Sequence, residues 1–210
     1  MPDPIILRDD DLIAQGSGRI VYGHPDRPDL VIKLHKHLRD KPFHALRRTV
    51  NHTLRRFGRF RITMVEVDEY FAMVARTGHL PDFTPAFRGL VETDRGVGTV
   101  FDRVVDGHGN AAPRLGTLLR VGGMDAGFVP AIDRLWDRIV AFRAVVSDPN
   151  LSNVLVTREG DDIRLHLVDG LGEKTWIKVR QLSDLAYVRT VAAQRREMHA
   201  AVRAAARGAP

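Results

Sequence analysis

The sequence predicts an α+β fold in which a small antiparallel β-sheet comes first and a reduced, mainly helical part follows. Short β-prone stretches separated by Gly, Pro and Asp turns fill residues 11–36, as expected for hairpins. Helical periodicity dominates after Pro130. A chain of 210 residues is long enough for two small lobes. We therefore expect one lobe over residues 1–106 and a second over residues 107–210.

The first lobe is predicted to combine hairpins with two helices. Its elements are strands at residues 12–14, 20–22 and 30–34, helices at 42–57 and 63–76, and a hairpin at 89–105. The apolar residues Met64, Val67, Phe71 and Val74 recur at helical spacing and predict the buried face of the second helix. Residues 106–114 are rich in Gly, Asp and Asn, which predicts a linker that could act as a hinge.

The second lobe is predicted to begin with helices and to contain one further hairpin. An amphipathic helix opens at Pro130, and its inward face includes Trp136 and extends to Arg143. The remaining elements are strands at residues 154–156 and 163–168 and a C-terminal helix at 181–206. The arginines of this last helix, Arg195, Arg196 and Arg203, form either a docking surface or a solvated face, and we favour the solvated face.

The composition excludes several classes of site. The chain contains no cysteine, which excludes disulfides, zinc–thiolate sites and cysteine nucleophiles. The N-terminus lacks the basic region and apolar stretch of a signal peptide. No apolar run approaches the roughly 20 residues that span a bilayer. We therefore expect a cytoplasmic protein without a transmembrane segment.

Two features of the first lobe indicate phosphate binding. Gly16 and Gly18 lie between two predicted strands, where glycines let backbone amides approach phosphates, although most Gly-x-Gly hairpins are simply turns. Lys33 lies on the next strand, and strand alternation puts it on the face of Val31 rather than that of Ile32. A lysine flanked by apolar residues is a candidate ligand for the α- and β-phosphates; the alternative is a solvated lysine.

Two motifs in the second lobe indicate metal binding and catalysis. Asp148 precedes Asn153 by five residues, the spacing of a kinase catalytic loop, in which the Asp orients the acceptor hydroxyl and the Asn binds a metal ion. Asp169-Gly170 ends a predicted strand, where a carboxylate can bind Mg²⁺ that bridges the phosphates. Each motif alone is also typical of an ordinary turn. Together with Lys33, they favour a bilobal protein-kinase-like fold that binds ATP and magnesium.

Such a site requires an acidic partner for Lys33. Residues 41–61 contain no acidic residue, whereas Glu66 and Glu69 lie on the following helix. With Val67 at the centre of the apolar stripe, Glu66 falls close to the inward face and Glu69 points away. We therefore predict that Glu66 pairs with Lys33, with Glu69 as the alternative.

Several features depart from the pattern of a protein kinase. Val21 occupies the place of the third glycine, and Val146-Ser147 precede Asp148 where His-Arg is usual. The 41 residues after Asp169 are too few for a peptide-docking lobe. These departures favour an atypical or small-molecule kinase over an ordinary protein kinase.

The positive charge is concentrated in one segment. From Lys36 to Arg61 there are nine Lys or Arg residues and one acidic residue, Asp40, whereas the whole chain carries a net charge of +6. This basic segment 36–61 is either a solvated helix or a surface for an anionic partner, such as RNA, DNA, a phosphorylated protein or an anionic membrane.

Four runs of the sequence carry a resemblance to a known family: Gln15 to Pro25, Val91 to Asp106, Asn153 to Val156 and Val168 to Gly172. They resemble the YrbL family of PhoP regulatory network proteins. The run from Val91 to Asp106 resembles the core segment of that family, and the run from Gln15 to Pro25 resembles its opening hairpin. The runs Asn153 to Val156 and Val168 to Gly172 resemble its Asn-Ile-Leu and acid-turn segments. The resemblance implies a bacterial cytoplasmic protein with a kinase-like fold.

Three functional hypotheses follow. The first is an atypical kinase-like phosphotransferase that uses ATP and Mg²⁺ to phosphorylate an unknown acceptor, with Asp148, Lys33 and Asn153 in catalytic roles. The second is a pseudokinase-like regulatory module that binds nucleotide and acts by docking to a protein partner. The third is a nucleic-acid-binding protein that uses the basic segment 36–61.

Overall fold

The computed structural model describes residues 3–16, 18–36, 60–122, 125–173 and 183–207. The helix predicted at residues 42–57 and most of the basic segment 36–61 lie outside these ranges. The strands are β1 Leu12–Gln15, β2 Arg19–His24, β3 Arg27–His35, β4 Phe87–Thr93, β5 Gly96–Asp102, β6 Val154–Glu159 and β7 Asp162–Leu167. The helices are α1 Arg61–Thr77, α2 Leu115–Gly122, α3 Phe128–Ala141 and α4 Asp184–Arg207, with single 3₁₀ turns at Asp9–Asp11 and Leu151–Asn153.

The predicted α+β class is confirmed. Five strands form an antiparallel sheet in the order β1-β2-β3-β5-β4, and β6 and β7 form a separate hairpin. The chain divides into two compact units, here called the sheet unit (Met1–Val67 and Ala86–Arg103) and the helical unit (Asp68–Pro85 and Val104–Pro210). In the part of the chain that the structure describes, no helix is both long and apolar enough to traverse a bilayer.

The central strand of the sheet unit is β3, which is buried on both faces. One face packs into a core with Leu7, Tyr22 and Val100, and the β3 residues on that face are Leu30, Ile32 and Leu34. This alternation follows from the two-residue period of a strand. It leaves Lys33 on the other face, as the sequence predicted.

Helix α1 confirms the predicted helix, but its buried face differs from the predicted one. Phe71 of the predicted apolar stripe is 60% exposed. The buried residues are Thr63, Glu66, Glu69, Tyr70 and Met73. Polar side chains can occupy a buried helix face when each finds a partner. Hydrophobic periodicity therefore identified the helix but chose the wrong face.

The helical unit is built on the packing of α3 against α4. Helix α3 buries six residues at helical spacing, Phe128, Ala131, Ile132, Leu135, Trp136 and Ile139. The helix ends at Ala141 and Arg143 adopts a φ of 49°, so Arg143 is not part of the helical face to which the sequence assigned it.

Helix α4 is joined to α3 by ion pairs. Arg195 donates to Asp133 at 2.7 Å and to Asp137 at 2.8 Å, and His199 lies 2.9 Å from the same Asp133 carboxylate. Hydrogen bonds from His199 and Arg195 lower the pKa of Asp133. The expectation of a simply solvated arginine face is therefore wrong for Arg195, because its guanidinium links two helices.

The predicted linker at residues 106–114 begins as a closed turn. The Asp106 carboxylate accepts hydrogen bonds from the backbone N–H groups of His108 and Asn110, each at 2.9 Å. Asp106 N–H donates to Asn110 O at 2.8 Å, and Val105 forms an isolated antiparallel β-bridge with Ala111. Asp side chains favour such turns because they replace backbone hydrogen bonds.

Close packing of β5 against β3 requires a glycine at position 98. A Cβ atom on Gly98 would lie 2.5 Å from Ile32 Cγ2 and 3.1 Å from Leu34 Cδ2. We predict that Gly98→Ala lowers the free energy of unfolding of the sheet unit by about 1–3 kcal/mol, the usual cost of overpacking. Gly23→Ala is the matched control in the same sheet, because its nearest atoms lie at 3.8 Å. Equal urea denaturation curves for the two variants would contradict the packing argument.

A buried tyrosine makes the helical unit sensitive to alkaline pH. Tyr187 donates its hydroxyl proton to Ile139 O at 3.2 Å and Ala144 O at 3.3 Å, and burial raises its pKa from 10.0 to about 12. The unfolded chain therefore loses this proton at lower pH than the folded chain does. Stability from this group is complete below pH 10 and is lost as the pH rises towards about 12. We expect urea titrations to show wild type losing stability relative to Tyr187→Phe over this interval, whereas parallel pH profiles would refute the assignment.

Candidate functional site

The sheet unit holds Lys33 at its centre. Lys33 is only 9% exposed, lies opposite Val21 and Thr99 in the strand register, and places Nζ 4.3 Å from the centroid of the Phe101 ring. An ammonium over an aromatic face gains an electrostatic attraction, and its burial limits the directions in which it can point. Lys33 is therefore a positioned charge rather than a solvated strand-end lysine.

The two glycines of the opening hairpin are not required by local packing. Gly16 N–H donates to Arg19 O at 2.9 Å, and Gly18 O accepts from Lys36 N–H at 3.0 Å. Among the described residues, a Cβ on Gly18 would meet no atom within 4 Å, and one on Gly16 would meet Arg19 O at 3.8 Å. The backbone here can accommodate side chains, so packing does not account for the choice of glycine.

Glu66 is held by an arginine that sequence reasoning missed. Arg19 donates from Nη1 to Glu66 Oε2 and from Nη2 to Glu66 Oε1, each at 2.8 Å. Both side chains are largely buried, and a bidentate pair of this kind fixes direction as well as distance. The only signal in the sequence is an arginine directly after Gly18. The pairing of Glu66 with Lys33 stays a prediction.

Glu69, the alternative partner, lies inward and not outward as predicted. It is fully buried at 0% exposure and accepts a hydrogen bond from Val145 N–H at 3.1 Å. Arg76 approaches the same oxygen at 3.4 Å. The prediction placed Glu69 outward because it took Val67 as the centre of the buried stripe.

In the helical unit, the Asp148 loop is closed by its own asparagines. Asn150 caps the following 3₁₀ turn, since its Oδ1 accepts from Ser152 N–H at 2.9 Å and from Asn153 N–H at 3.1 Å. Its Nδ2 donates to Asp148 Oδ1 at 2.9 Å. Asn153 Nδ2 donates back to Asp148 O at 3.0 Å. The five-residue spacing therefore folds the loop so that Asp148 and Asn153 are neighbours.

Asp169 joins this loop through backbone hydrogen bonds. Val168 N–H donates to Asn153 O at 2.9 Å, and Ser147 N–H donates to Gly170 O at 2.7 Å. The Asp169 carboxylate accepts from Gly170 N–H at 2.6 Å. Residues on both sides of Asp169 are thus bonded to both ends of the Asp148 loop. Three of the predicted site residues, Asp148, Asn153 and Asp169, are brought together in the helical unit, and we call them the acidic cluster.

Two side chains of the acidic cluster carry oxygen atoms of the kind that bind magnesium. Asp169 supplies a carboxylate, and Asn153 supplies an amide oxygen because its Nδ2 is engaged with the backbone. Within the described ranges, no group of three or more His, Asp or Glu side chains could hold a metal ion by itself. Magnesium in nucleotide sites commonly uses one or two protein ligands together with phosphate oxygens and water, so Asp169 and Asn153 are the residues that could hold such an ion.

Helix α2 packs closely against the Asp148 loop at Gly116. A Cβ on Gly116 would lie 3.3 Å from Leu151 Cβ, so the helix approaches the 3₁₀ turn closely. Arg114, which precedes the helix, also forms an isolated antiparallel β-bridge with Leu155 near the start of β6. Sequence reasoning did not identify this support, because nothing local to Gly116 indicates its contact with Leu151.

Gly170 is the residue on which the approach of Asp169 to Asp148 depends. Its φ is 90°, and a Cβ would lie 2.7 Å from Asp148 O. We predict that Gly170→Ala destabilises the protein more than Gly160→Ala, which has a φ of 60° but no atom within 4 Å of the added Cβ. The control carries only the backbone strain, of order 1–3 kcal/mol. Equal losses of unfolding free energy in chemical denaturation would show that the close approach contributes nothing.

Comparison with known proteins gives a family. The sequence model of the family described as PhoP regulatory network protein YrbL matches residues 5–203, which is nearly the whole chain and includes both units. No curated protein matches the chain. The resemblance seen in the sequence is thereby confirmed, and the chain belongs to the family of the PhoP regulatory network protein YrbL.

Proposed function

We propose that this protein is an ATP- and Mg²⁺-dependent phosphotransferase of atypical, kinase-like type. The observation that carries the proposal is the acidic cluster, in which backbone hydrogen bonds hold Asp148, Asn153 and Asp169 side by side. An orienting carboxylate beside two oxygen ligands is the arrangement that phosphoryl transfer from a nucleotide needs. Within the α+β class, we propose with this function a bilobal, kinase-like fold.

The sheet unit would bind the phosphates of the nucleotide. Lys33 would contact the α- and β-phosphates, and its buried position over Phe101 supports a directed charge. Gly16 and Gly18 would let backbone N–H groups approach the phosphates, which gives these glycines a role that packing does not. Glu66, fixed by Arg19, would complete the charge arrangement around Lys33.

The helical unit would supply the catalytic groups. Asp148 would accept the proton of the acceptor hydroxyl while the hydroxyl oxygen bonds to the γ-phosphorus of ATP. The bond from that phosphorus to the β–γ bridging oxygen would break in the same step, which releases ADP. Asn153 and Asp169 would hold Mg²⁺, and the ion would neutralise charge on the phosphate oxygens. Catalysis of this kind is mostly positioning and electrostatics, so the rigidity of the acidic cluster is itself part of the proposal.

A second function is favoured by the family description. The description names a regulatory network and no chemical reaction. A pseudokinase-like module that binds nucleotide and acts by docking to a protein partner would suit such a role. The departures from the kinase pattern, such as Val21 in place of a third glycine, agree with binding in the absence of turnover. A third possibility, nucleic-acid binding by the basic segment 36–61, rests on charge alone.

Release of labelled phosphate or ADP from ATP, with Mg²⁺ present, tests the first function. We expect Lys33→Met, Asp148→Ala and Asp169→Asn each to lower kcat/KM by about 10²-fold or more. Lys33 would contact the phosphates, Asp148 would accept the proton of the acceptor hydroxyl, and Asp169 would hold Mg²⁺. Asp161→Asn is the matched control, since Asp161 is an exposed acid in the turn between β6 and β7 of the helical unit. Gly18→Ala should weaken ATP binding while leaving the free energy of unfolding unchanged, because its Cβ meets no atom of the described residues within 4 Å.

The same assays separate the three functions. Binding of Mg-ATP without turnover in wild type would replace the first function by the regulatory one. Salt-dependent RNA or DNA binding that is lost when Arg47, Arg48, Arg55 and Arg56 are neutralised would favour the third. Full turnover in Asp148→Ala would refute the assigned role of the acidic cluster.

A further inference from the structure

Helix α1 carries a second buried acid that the proposed mechanism does not use. Glu69 follows Glu66 by three residues and is completely buried. Its Oε1 accepts a hydrogen bond from Val145 N–H at 3.1 Å, and this contact is also buried. Val145 lies three residues before Asp148. The carboxylate therefore reaches the backbone that leads directly into the acidic cluster.

The segment 143–147 leading to Asp148 is held by side chains and backbone from several elements. Its contacts are Arg76 Nη1 to Arg143 O at 3.2 Å, Tyr187 Oη to Ala144 O at 3.3 Å, Gly172 N–H to Val145 O at 2.7 Å, Gln194 Nε2 to Val146 O at 2.9 Å, and Ser147 N–H to Gly170 O at 2.7 Å. Among these contacts and that of Glu69, only Glu69 brings a negative charge to the segment.

Burying a carboxylate at this position is expensive unless it is compensated. A buried charge loses its hydration, and only pairing and hydrogen bonds offset that loss. Arg76 supplies the opposite charge at 3.4 Å, and the same guanidinium nitrogen donates to Arg143 O at 3.2 Å. Glu69 and Arg76 together thus fix one N–H and one C=O of the segment 143–147. An apolar side chain could fill the same volume, but it could not accept the Val145 proton.

The backbone at the start of this segment is strained. Arg143 adopts a φ of 49°, in the left-handed region that residues other than glycine seldom occupy. Its side chain stacks over the Tyr187 ring at 5.2 Å and pairs with Asp184. Strain of this kind persists only where surrounding contacts over-determine it, and it concentrates at functional sites.

We propose that Glu69 is a positioning residue for Asp148. It fixes the Val145 amide, and through the short segment 145–148 it sets the direction of the Asp148 carboxylate. The proposal rests on the phosphotransferase function proposed above. Because Glu69 acts through the backbone, its loss should change the chemical step and not the binding of ATP. A displacement of about 1 Å in a catalytic group can cost about 10²-fold in rate.

The experiment compares three variants of the full chain. Glu69→Ala removes the acceptor for Val145 N–H. Glu69→Gln retains an acceptor oxygen of the same geometry and loses only the charge. Met73→Ala is the matched control for stability, because Met73 is equally buried on the same helix and in the same unit. Steady-state ATP turnover gives kcat and KM, hydrogen exchange reports protection of the Val145 amide, and thermal unfolding gives the loss of stability.

We expect Glu69→Ala to lower kcat by about 10- to 100-fold with KM for ATP within about twofold of wild type. We expect Glu69→Gln to restore most of the rate and the protection of the Val145 amide. Met73→Ala should lower the unfolding temperature and leave kcat near that of wild type.

The outcomes distinguish failure of this inference from failure of the proposed function. If wild type turns over ATP but Glu69→Ala and Met73→Ala have the same kcat, the positioning role of Glu69 is overturned. The proposed phosphotransferase function is unaffected by that result. Failure of Glu69→Gln to restore the rate also overturns it, because the hydrogen bond would then not be the cause. A wild type that binds Mg-ATP without turnover overturns the phosphotransferase function and this inference with it, while faster exchange of Val145 in Glu69→Ala would still establish the buried contact.

Discussion

The candidate site depends on the backbone hydrogen bonds that fasten the Asp169 turn to the Asp148 loop. Val168 N–H to Asn153 O and Ser147 N–H to Gly170 O hold the turn at both ends of the loop. Each is an ordinary amide–carbonyl bond, of net value about 1 kcal/mol. Their importance is geometric, since together they bring an aspartate and an asparagine separated by sixteen residues to one place. The left-handed conformation of Gly170 is what allows the two backbones to approach so closely.

Helix α1 shows how a polar helix face can be buried. Glu66 receives two hydrogen bonds from Arg19, and Glu69 receives one from Val145 N–H with Arg76 beside it. Each carboxylate is thereby compensated, which removes most of the penalty for taking a charge out of water. The two acids serve different units, because the boundary between the sheet unit and the helical unit falls between Val67 and Asp68. One helix thus contributes a fixed carboxylate to each unit.

The fold could be predicted where the controlling interactions are local. Strand alternation placed Lys33 on the face opposite Ile32, and the hairpin predicted at residues 89–105 corresponds to β4 and β5. The spacing of Asp148 and Asn153 was interpreted as that of a catalytic loop, with an ordinary turn as the alternative, and the two residues do lie together because Asx side chains bond to the backbone within a few residues. The prediction failed on the buried face of α1 and on Arg195. In both cases the deciding partner is an ion-pair residue far away in the sequence, and hydrophobic periodicity carries no information about it.

The sequence by itself determined the α+β class, the positions of most strands and helices, the family, and the identity of the acidic cluster. The class and the elements follow from short-range rules of alternation, helical period and turn chemistry, which act over a few residues. The family and the residues of the acidic cluster follow from the likeness of whole motifs to known sequence patterns. Only the tertiary structure decided the partners of the buried acids. Arg19 lies 47 residues from Glu66, and Val145 lies 76 residues from Glu69. A carboxylate selects its partner by distance and desolvation in three dimensions, so the choice exists only once the chain has folded.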